Sequence, residues 1–326
     1  MNYIVLDLEW NQARDEREKK ESPLLFEIVE IGAIKLNKDR EQIDSFHELI
    51  KPQVYQSMNQ ITGELIHLKM EELKNCRTFP QVAADFLAWC GNDAVFCTWG
   101  DLDLFELQRN MDFYHMHPLS DKPIAYYDVQ KLFSIAYEDK KKRRTLAYAI
   151  DFLQIEKNVA FHRADSDAYY TAMVMEYIND PAIYSNVSYD IYHIPQKKED
   201  EIKVIFSDYE KYISRPFDDR TQIMQDKDIL STRCYLCGKN TRKKVDWFTM
   251  NNGKHYYSIS YCETHGYLKG KIRIRKNIEN RAYVVKTLKP VSKEEAAALL
   301  EKREQTKLIR REREKRIRNH KKEKKI

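Results

Sequence analysis

The chain has 326 residues, 42% of them hydrophobic and 33% charged, with 21 Tyr and 13 Phe. That balance is too apolar and aromatic for a disordered chain and too polar for one embedded in a membrane. The net charge of +5 is the small remainder of unlike regions: residues 1–230 carry −13, residues 231–290 carry +11 and residues 291–326 carry +7. An acidic body with a basic last third implies divided labour, the basic part attracting a polyanion such as nucleic acid and the acidic part holding cations. A solvated charged helix at the end of an ordinary protein has the same composition. At roughly 100–200 residues per domain the length implies two domains and a tail. No run reaches the roughly 18 uncharged apolar residues of a membrane span, and the opening MNYIVLDLEW carries carboxylates where a secretory signal has a basic and then an apolar region. A cytoplasmic protein without a membrane partner is the expectation.

In chain order, three strands come first: YIVLDL (3–8), FEIVEIGAIKL (26–36) and IDSFHELIKP (43–52). They are followed by FPQVAADFLAWC (79–90), the apolar run AVFCTW (94–99), a helical stretch at 102–116 and a short run IAYYD (124–128). Helical patterns then lie near 129–137, 145–154 and 164–178. Strands first and then strands alternating with helices predict an α/β domain, a mixed sheet flanked by helices, over residues 1–180. It ends near Asp180-Pro181, because proline disfavours helix at the residue before it. Residues 181–230 read as a linker or docking segment with room for one helix and a strand. From 231 to 290 short β-like pieces surround Asn252-Gly253, a hairpin dipeptide. Ser292 and Glu295 match a capping box, so residues 291–326 read as a basic helical tail. Past about residue 303 it has few apolar residues, and it projects or frays unless a partner orders it.

Asp7 and Glu9 end the first strand, and because strand side chains alternate they point to one face, a few ångströms apart. A divalent cation resolves their repulsion, and oxygen ligands suit Mg²⁺ or Mn²⁺. Solvated surface acids give the same pattern when seen alone. Two further places supply company. Trp99-Gly100-Asp101-Leu102-Asp103 follows the apolar run at 94–99, and His162 and Asp167 stand in an H-x4-D arrangement at the start of a helical pattern. Five residues along a helix turn through about 500°, so the two do not share a helical face. His162 therefore lies in the loop before the helix and Asp167 on its second turn. A helix N-cap for either aspartate and a surface loop position for His162 are the plain alternatives.

Asp7-x-Glu9, an aspartate after a strand near 100, and His162-x4-Asp167 resemble, in order and rough spacing, the three motifs of the DEDDh 3′–5′ exonucleases. The resemblance covers about residues 1–180, with Thr62 in Ile61-Thr62-Gly63 and Tyr127-Asp128 as weaker similarities, and it implies a ribonuclease H-like fold. It also implies that Asp7, Glu9, Asp103 and Asp167 hold two divalent cations and that His162 deprotonates the attacking water; such chemistry suits phosphodiester hydrolysis. The family usually has an aromatic before its middle aspartate, so Asp101 competes with Asp103 for that role; Asp103 is favoured by its apolar neighbour and the helical run after it. Trp10 either stacks on a terminal base of a single strand or belongs to the core. A scaffold that binds without turning over is the alternative to an active enzyme, and the polymerase-bound members suggest a proofreading accessory as a third.

Cys76, Cys90 and Cys97 have no ligand spacing and read as reduced thiols. Cys234-x2-Cys237 and Cys262-x2-His265 flank the predicted hairpin, the pattern of a zinc ribbon with one structural Zn²⁺ and no open ligand position. Lys269, Lys271, Arg273 and Arg275 alternate, so on a strand they line one face, with tyrosines nearby for stacking and phosphates as the natural partner. A protein or ribosome contact is the other use for these charges. The tryptophan-glycine turn and the zinc module incline the reading slightly toward RNA over DNA.

Overall fold

The computed structural model describes residues 1–140, 142–250, 253–277 and 279–323. Asn252 of the hairpin dipeptide lies outside them. The chain forms two compact units, Met1–His193 and Ile194–Ile326.

The first unit contains, in order, β1 (Asn2–Gln12), α1 (Glu16–Glu21), β2 (Phe26–Leu36), β3 (Gln42–Lys51), α2 (Gln60–Ile66), α3 (Met70–Leu73), β4 (Arg77–Thr78) and α4 (Phe79–Cys90). Then come β5 (Ala94–Thr98), α5 (Asp103–Phe113), β6 (Ala125–Asp128), α6 (Val129–Tyr137), α7 (Leu146–Phe152), α8 (Ala164–Tyr177) and β7 (Ser188–Tyr189). The strands make one mixed sheet in the order β4-β3-β2-β1-β5-β6-β7. β1 pairs antiparallel with β2 and parallel with β5, and β5 runs parallel to β6. The ends of β1, β5 and β6 therefore emerge on one edge, where loops from several strands can gather.

Two apolar layers hold this sheet. Ile4, Leu6, Leu8, Ile28 and Ile31 pack with Phe79, Val82 and Phe86 of α4 and Leu104, Leu107 and Met111 of α5. On the other side Val5, Ile34 and Leu36 meet Leu132 and Phe133 of α6, Ala149 and Ile150 of α7, and Ala168, Ala172 and Met175 of α8. Each fully buried Leu, Ile or Phe contributes about 1.5–3 kcal/mol. The near-continuous burial along β2 is that of a strand covered on both faces.

The second unit contains β8 (Ile202–Ile205), β9 (Glu210–Ile213), α9 (Arg220–Ile223), α10 (Lys227–Leu230), β10 (Arg242–Thr249), β11 (His255–Cys262), β12 (Gly266–Lys276), β13 (Ala282–Val291) and α11 (Lys293–Glu323). Its antiparallel sheet runs β10-β11-β12-β13-β9-β8. Residues 181–230, read above as a linker or docking segment, thus divide between the units: β7 joins the first sheet, and β8 and β9 extend the second. β8 and β9 are four residues each; pairing with Val285–Leu288, far along the chain, makes β9 a strand, and β8 pairs on β9. One sheet face packs Tyr256, Ile272 and Val284 against Ile223 and Ile229 of α9 and α10. On the other, Val245 and Ile259 meet Ala296 and Leu299 of α11. That helix begins as its capping box predicts, with the Ser292 hydroxyl accepting from the Glu295 N–H at 3.1 Å.

Candidate active site and metal centre

Alternation along β1 sends Ile4, Leu6 and Leu8 to the layer of α4 and α5, and Tyr3 and Val5 to the layer of α8. Asp7 and Glu9 continue the second row beyond its apolar part, and the helix above them supplies Asp167. That approach depends on Gly32, which pairs with Asp7 in the ladder. A Cβ on Gly32 would lie 2.0 Å from the Ala164 carbonyl carbon and 2.2 Å from the Asp165 nitrogen. Any side chain there pushes the start of α8 off the sheet. Glu30, buried opposite Glu9, anchors the same point: Arg163 donates to it from Nη2 at 2.8 Å and from Nε at 3.0 Å, and His47 Nε2 lies 2.7 Å away. Burial alone raises the Glu30 carboxyl, but the His47 and Arg163 bonds outweigh it and hold the group below its ordinary value.

As a result, one oxygen each of Asp7, Glu9 and Asp167 lie within 4.8 Å of one another, close enough to share a cation. Asp103, the buried first residue of α5, accepts the Leu8 N–H at 3.2 Å and so sits against the end of β1, whereas Asp101 is exposed in the bend before it. Burial first, and then the charges of Asp103, Glu9 and Asp167, push Asp7 well above its ordinary range. Burial, with Asp167 and Glu30 next, takes Glu9 to about 8. Asp103 rises to about 7 through burial, opposed by its backbone hydrogen bonds. Asp167 rises to about 6, again through burial, with His162 opposing. Such a group of acids is short of positive charge, and Asp167 Oδ1 is buried without a hydrogen-bond partner.

His162 is exposed in the loop just before α8, at a left-handed φ of 65°. Asp167 falls in the first turn of α8, one turn earlier than its spacing suggested, because the helix starts at Ala164. Trp10 is half-buried, its ring 5.4 Å from that of Phe26, and it packs on the α4–α5 layer. Thr62 is buried on α2, whose first turn is capped by Asn59 Oδ1. Asn59 is tied to β1 through Asn11 Oδ1 at 2.9 Å. Reading the sequence missed Gly32, Glu30, Arg163 and Asn11. The glycine inside a β-branched strand was the one visible signal, since it marks a close backbone approach.

In the second unit, Cys234 and Cys237 stand in the loop before β10, Cys262 ends β11 and His265 lies in the turn that follows, before Gly266 opens β12 at a φ of 74°. Cys234 Sγ lies 3.5 Å from His265 Nδ1, Cys237 Sγ 3.7 Å from Cys262 Sγ, and Cys262 Sγ 3.8 Å from His265 Nδ1. Those separations match the edges, about 3.5–3.8 Å, of a tetrahedron whose centre is about 2.0–2.3 Å from N and S ligands. Against the upward pull of burial, hydrogen bonds from the His265 backbone and ring and the Thr264 backbone bring Cys262 down to about 6, favouring the thiolate that a soft metal takes. Lys269, Lys271, Arg273 and Arg275 all stand on one face of β12, opposite the buried Leu268, Gly270 and Ile272.

A family model described as Exonuclease matches residues 4–175. Among solved structures the chain is similar to the nuclease domain of 3'hExo, a DEDDh family member bound to rAMP, with 16% identity over 54% of this chain and 90% of that one and a TM-score of 0.47. It is also similar to S. pombe Pop2p in its Mg²⁺- and Mn²⁺-bound form, with 17% identity, 55% and 83% coverage and a TM-score of 0.41. For E. coli exonuclease I in complex with a 5cy-dT13 oligonucleotide, identity is 12%, coverage 80% and 55%, and the TM-score 0.45. No curated protein matches. Matched over more than half of its length, and with the Asp7-x-Glu9 and His162-x4-Asp167 motifs in the matched part, the chain belongs to the exonuclease family and is a metal-dependent nuclease of the DEDDh type.

Proposed function

We propose that the first unit removes nucleoside monophosphates one at a time from the 3′ end of single-stranded nucleic acid, RNA slightly favoured over DNA. The convergence of Asp7, Glu9 and Asp167 oxygens carries this reading. The orphaned Asp167 Oδ1 and the raised carboxyls fit a pair of Mg²⁺ or Mn²⁺ ions held by Asp7, Glu9, Asp103 and Asp167. When bound, two such cations lower the pKa of a water and neutralise charge on the attacking and leaving oxygens. Asp103 keeps its place through the Leu8 N–H, and Asp101 takes no part. Exposed in the loop before α8, His162 accepts the proton of the attacking water. Thr62 backs the face of α2 on which Ile61 is 73% exposed, a surface suited to a terminal base, and Trp10 supports the rim through its packing on Phe26.

Cys234, Cys237, Cys262 and His265 would hold one Zn²⁺ as a purely structural ion, every position being a protein ligand. Six unpaired thiols suit a reducing compartment and hence the cytoplasm. The basic second unit holds the substrate that the acidic first unit repels. Calorimetric titration with Mn²⁺ tests the cation reading. Wild type takes up two ions per chain, Asp167→Asn binds at least tenfold more weakly, and equal binding by the two proteins would contradict it.

A further inference from the structure

The register of the second sheet places more positive charge together than its fold requires. On the face of β12 that carries Lys269, Lys271, Arg273 and Arg275, Lys269 stands directly opposite Lys289 of β13, and Arg273 opposite His255 of β11. Like charges opposed across strands are destabilising. Among the described residues none of the four forms an ion pair, and Glu295 of α11 is the acid felt by Lys269. The mutual repulsion also shows in lowered ammonium values at Lys269 and Lys271, with burial the larger cause of each. A polyanion bound on this face would relieve that repulsion.

Geometry narrows the ligand. Alternate residues of a strand repeat every 6.6–6.8 Å or so, close to the spacing of successive phosphates along an extended single strand. Tyr257 stands directly opposite Lys271, with both Lys269 and Lys271 within cation–π reach of its ring, at 5.9 and 5.7 Å. α11 packs on the same face at its Lys269 end, over Val291 and over Ile259, which stands directly opposite Lys269, and none of the four cations is buried. We propose that this face is a track for single-stranded nucleic acid, one phosphate to each alternate cation over about four nucleotides, with Tyr257 as a stacking platform for a base. The proposal rests on the nuclease reading above and adds the footprint and its register.

The test is binding of a fluorescein-labelled oligouridylate by the full chain across a salt series, in an Asp7→Asn background so that the probe is not consumed. For single strands log K falls by about 0.7 per log salt for each phosphate neutralised. Replacing Lys269, Lys271, Arg273 and Arg275 together by Gln should flatten the slope by about 2.8, and each single replacement by about 0.7. Tyr257→Leu should weaken binding roughly tenfold while Tyr257→Phe restores it. Wild-type slope and affinity in the fourfold variant overturn the track. Hydrolysis of the same RNA with Mg²⁺ by the otherwise wild-type chain is scored separately. If it is cut while the fourfold variant binds as before, the track fails and the nuclease stands. If it is left intact while binding depends on the four cations, the exonuclease reading fails and the track stands.

Discussion

At the level of single residues, the carboxylates of the first unit make the metal-free protein prefer protons. Glu9, Asp103 and Asp167 sit at about 8, 7 and 6, through burial before any other cause. In the unfolded chain such groups ionise near pH 4. Between about pH 4 and pH 8 the folded chain therefore holds protons that the unfolded chain has released, and this contribution to stability falls as pH rises. Removing one of the acids should relieve it. Without divalent cations, Asp7→Asn is predicted to gain about 1–2 kcal/mol over wild type at pH 8 and little at pH 4 in urea melts, while its activity drops on the order of a thousandfold. An equal gap at both pH values would contradict the account. Asp7, Glu9 and the histidine were legible because alternation and spacing are local properties. What the sequence could not supply is the tertiary hydrogen bond from Leu8 that places Asp103, and not Asp101, against the end of β1, and the packing on Phe26 that half-buries Trp10.

Among the elements, the strands and helices of the first unit follow their patterns closely, since β1, β2, α6 and α8 have long apolar periodicities that a sheet and its two layers bury. What the pattern did not reveal is how α8 reaches the sheet. Gly32 inside a β-branched strand marks a close backbone approach, but only the passage of Ala164 over it shows what approaches. Gly32→Ala should cost about 1–3 kcal/mol by overpacking and lower kcat by displacing His162 and Asp167. Chemical denaturation with steady-state kinetics measures both, and unchanged kcat would show that α8 is not set by this contact. β8 and β9 were obscure for the opposite reason: four-residue strands carry almost no periodicity, and their state is decided by β13.

Over the whole molecule, the charge division read from the sequence coincides with a division of structure only in part, because the second unit begins at Ile194 and takes in the slightly acidic stretch 194–230 as well as the basic strands. The grouping of Cys234, Cys237, Cys262 and His265 was plain from spacing; the six-stranded sheet around them was not, since it depends on pairing across the chain. A chain ending at His193 keeps the whole matched region and its apolar layers. It is predicted to hydrolyse short oligonucleotides at near the full-length rate, to bind long ones at least tenfold more weakly, and to lose most of their salt dependence. Equal activity of both chains on long substrates would remove the division of labour. The most direct measurement is digestion of 3′- and 5′-labelled single-stranded RNA and DNA with Mg²⁺ or Mn²⁺, using wild type beside Asp7→Asn and His162→Ala. Wild type is expected to release mononucleotides from the 3′ end, faster from RNA than from DNA, and both variants to lose a hundredfold or more. Intact substrates with wild type and either metal, or products released from the 5′ end, would contradict it.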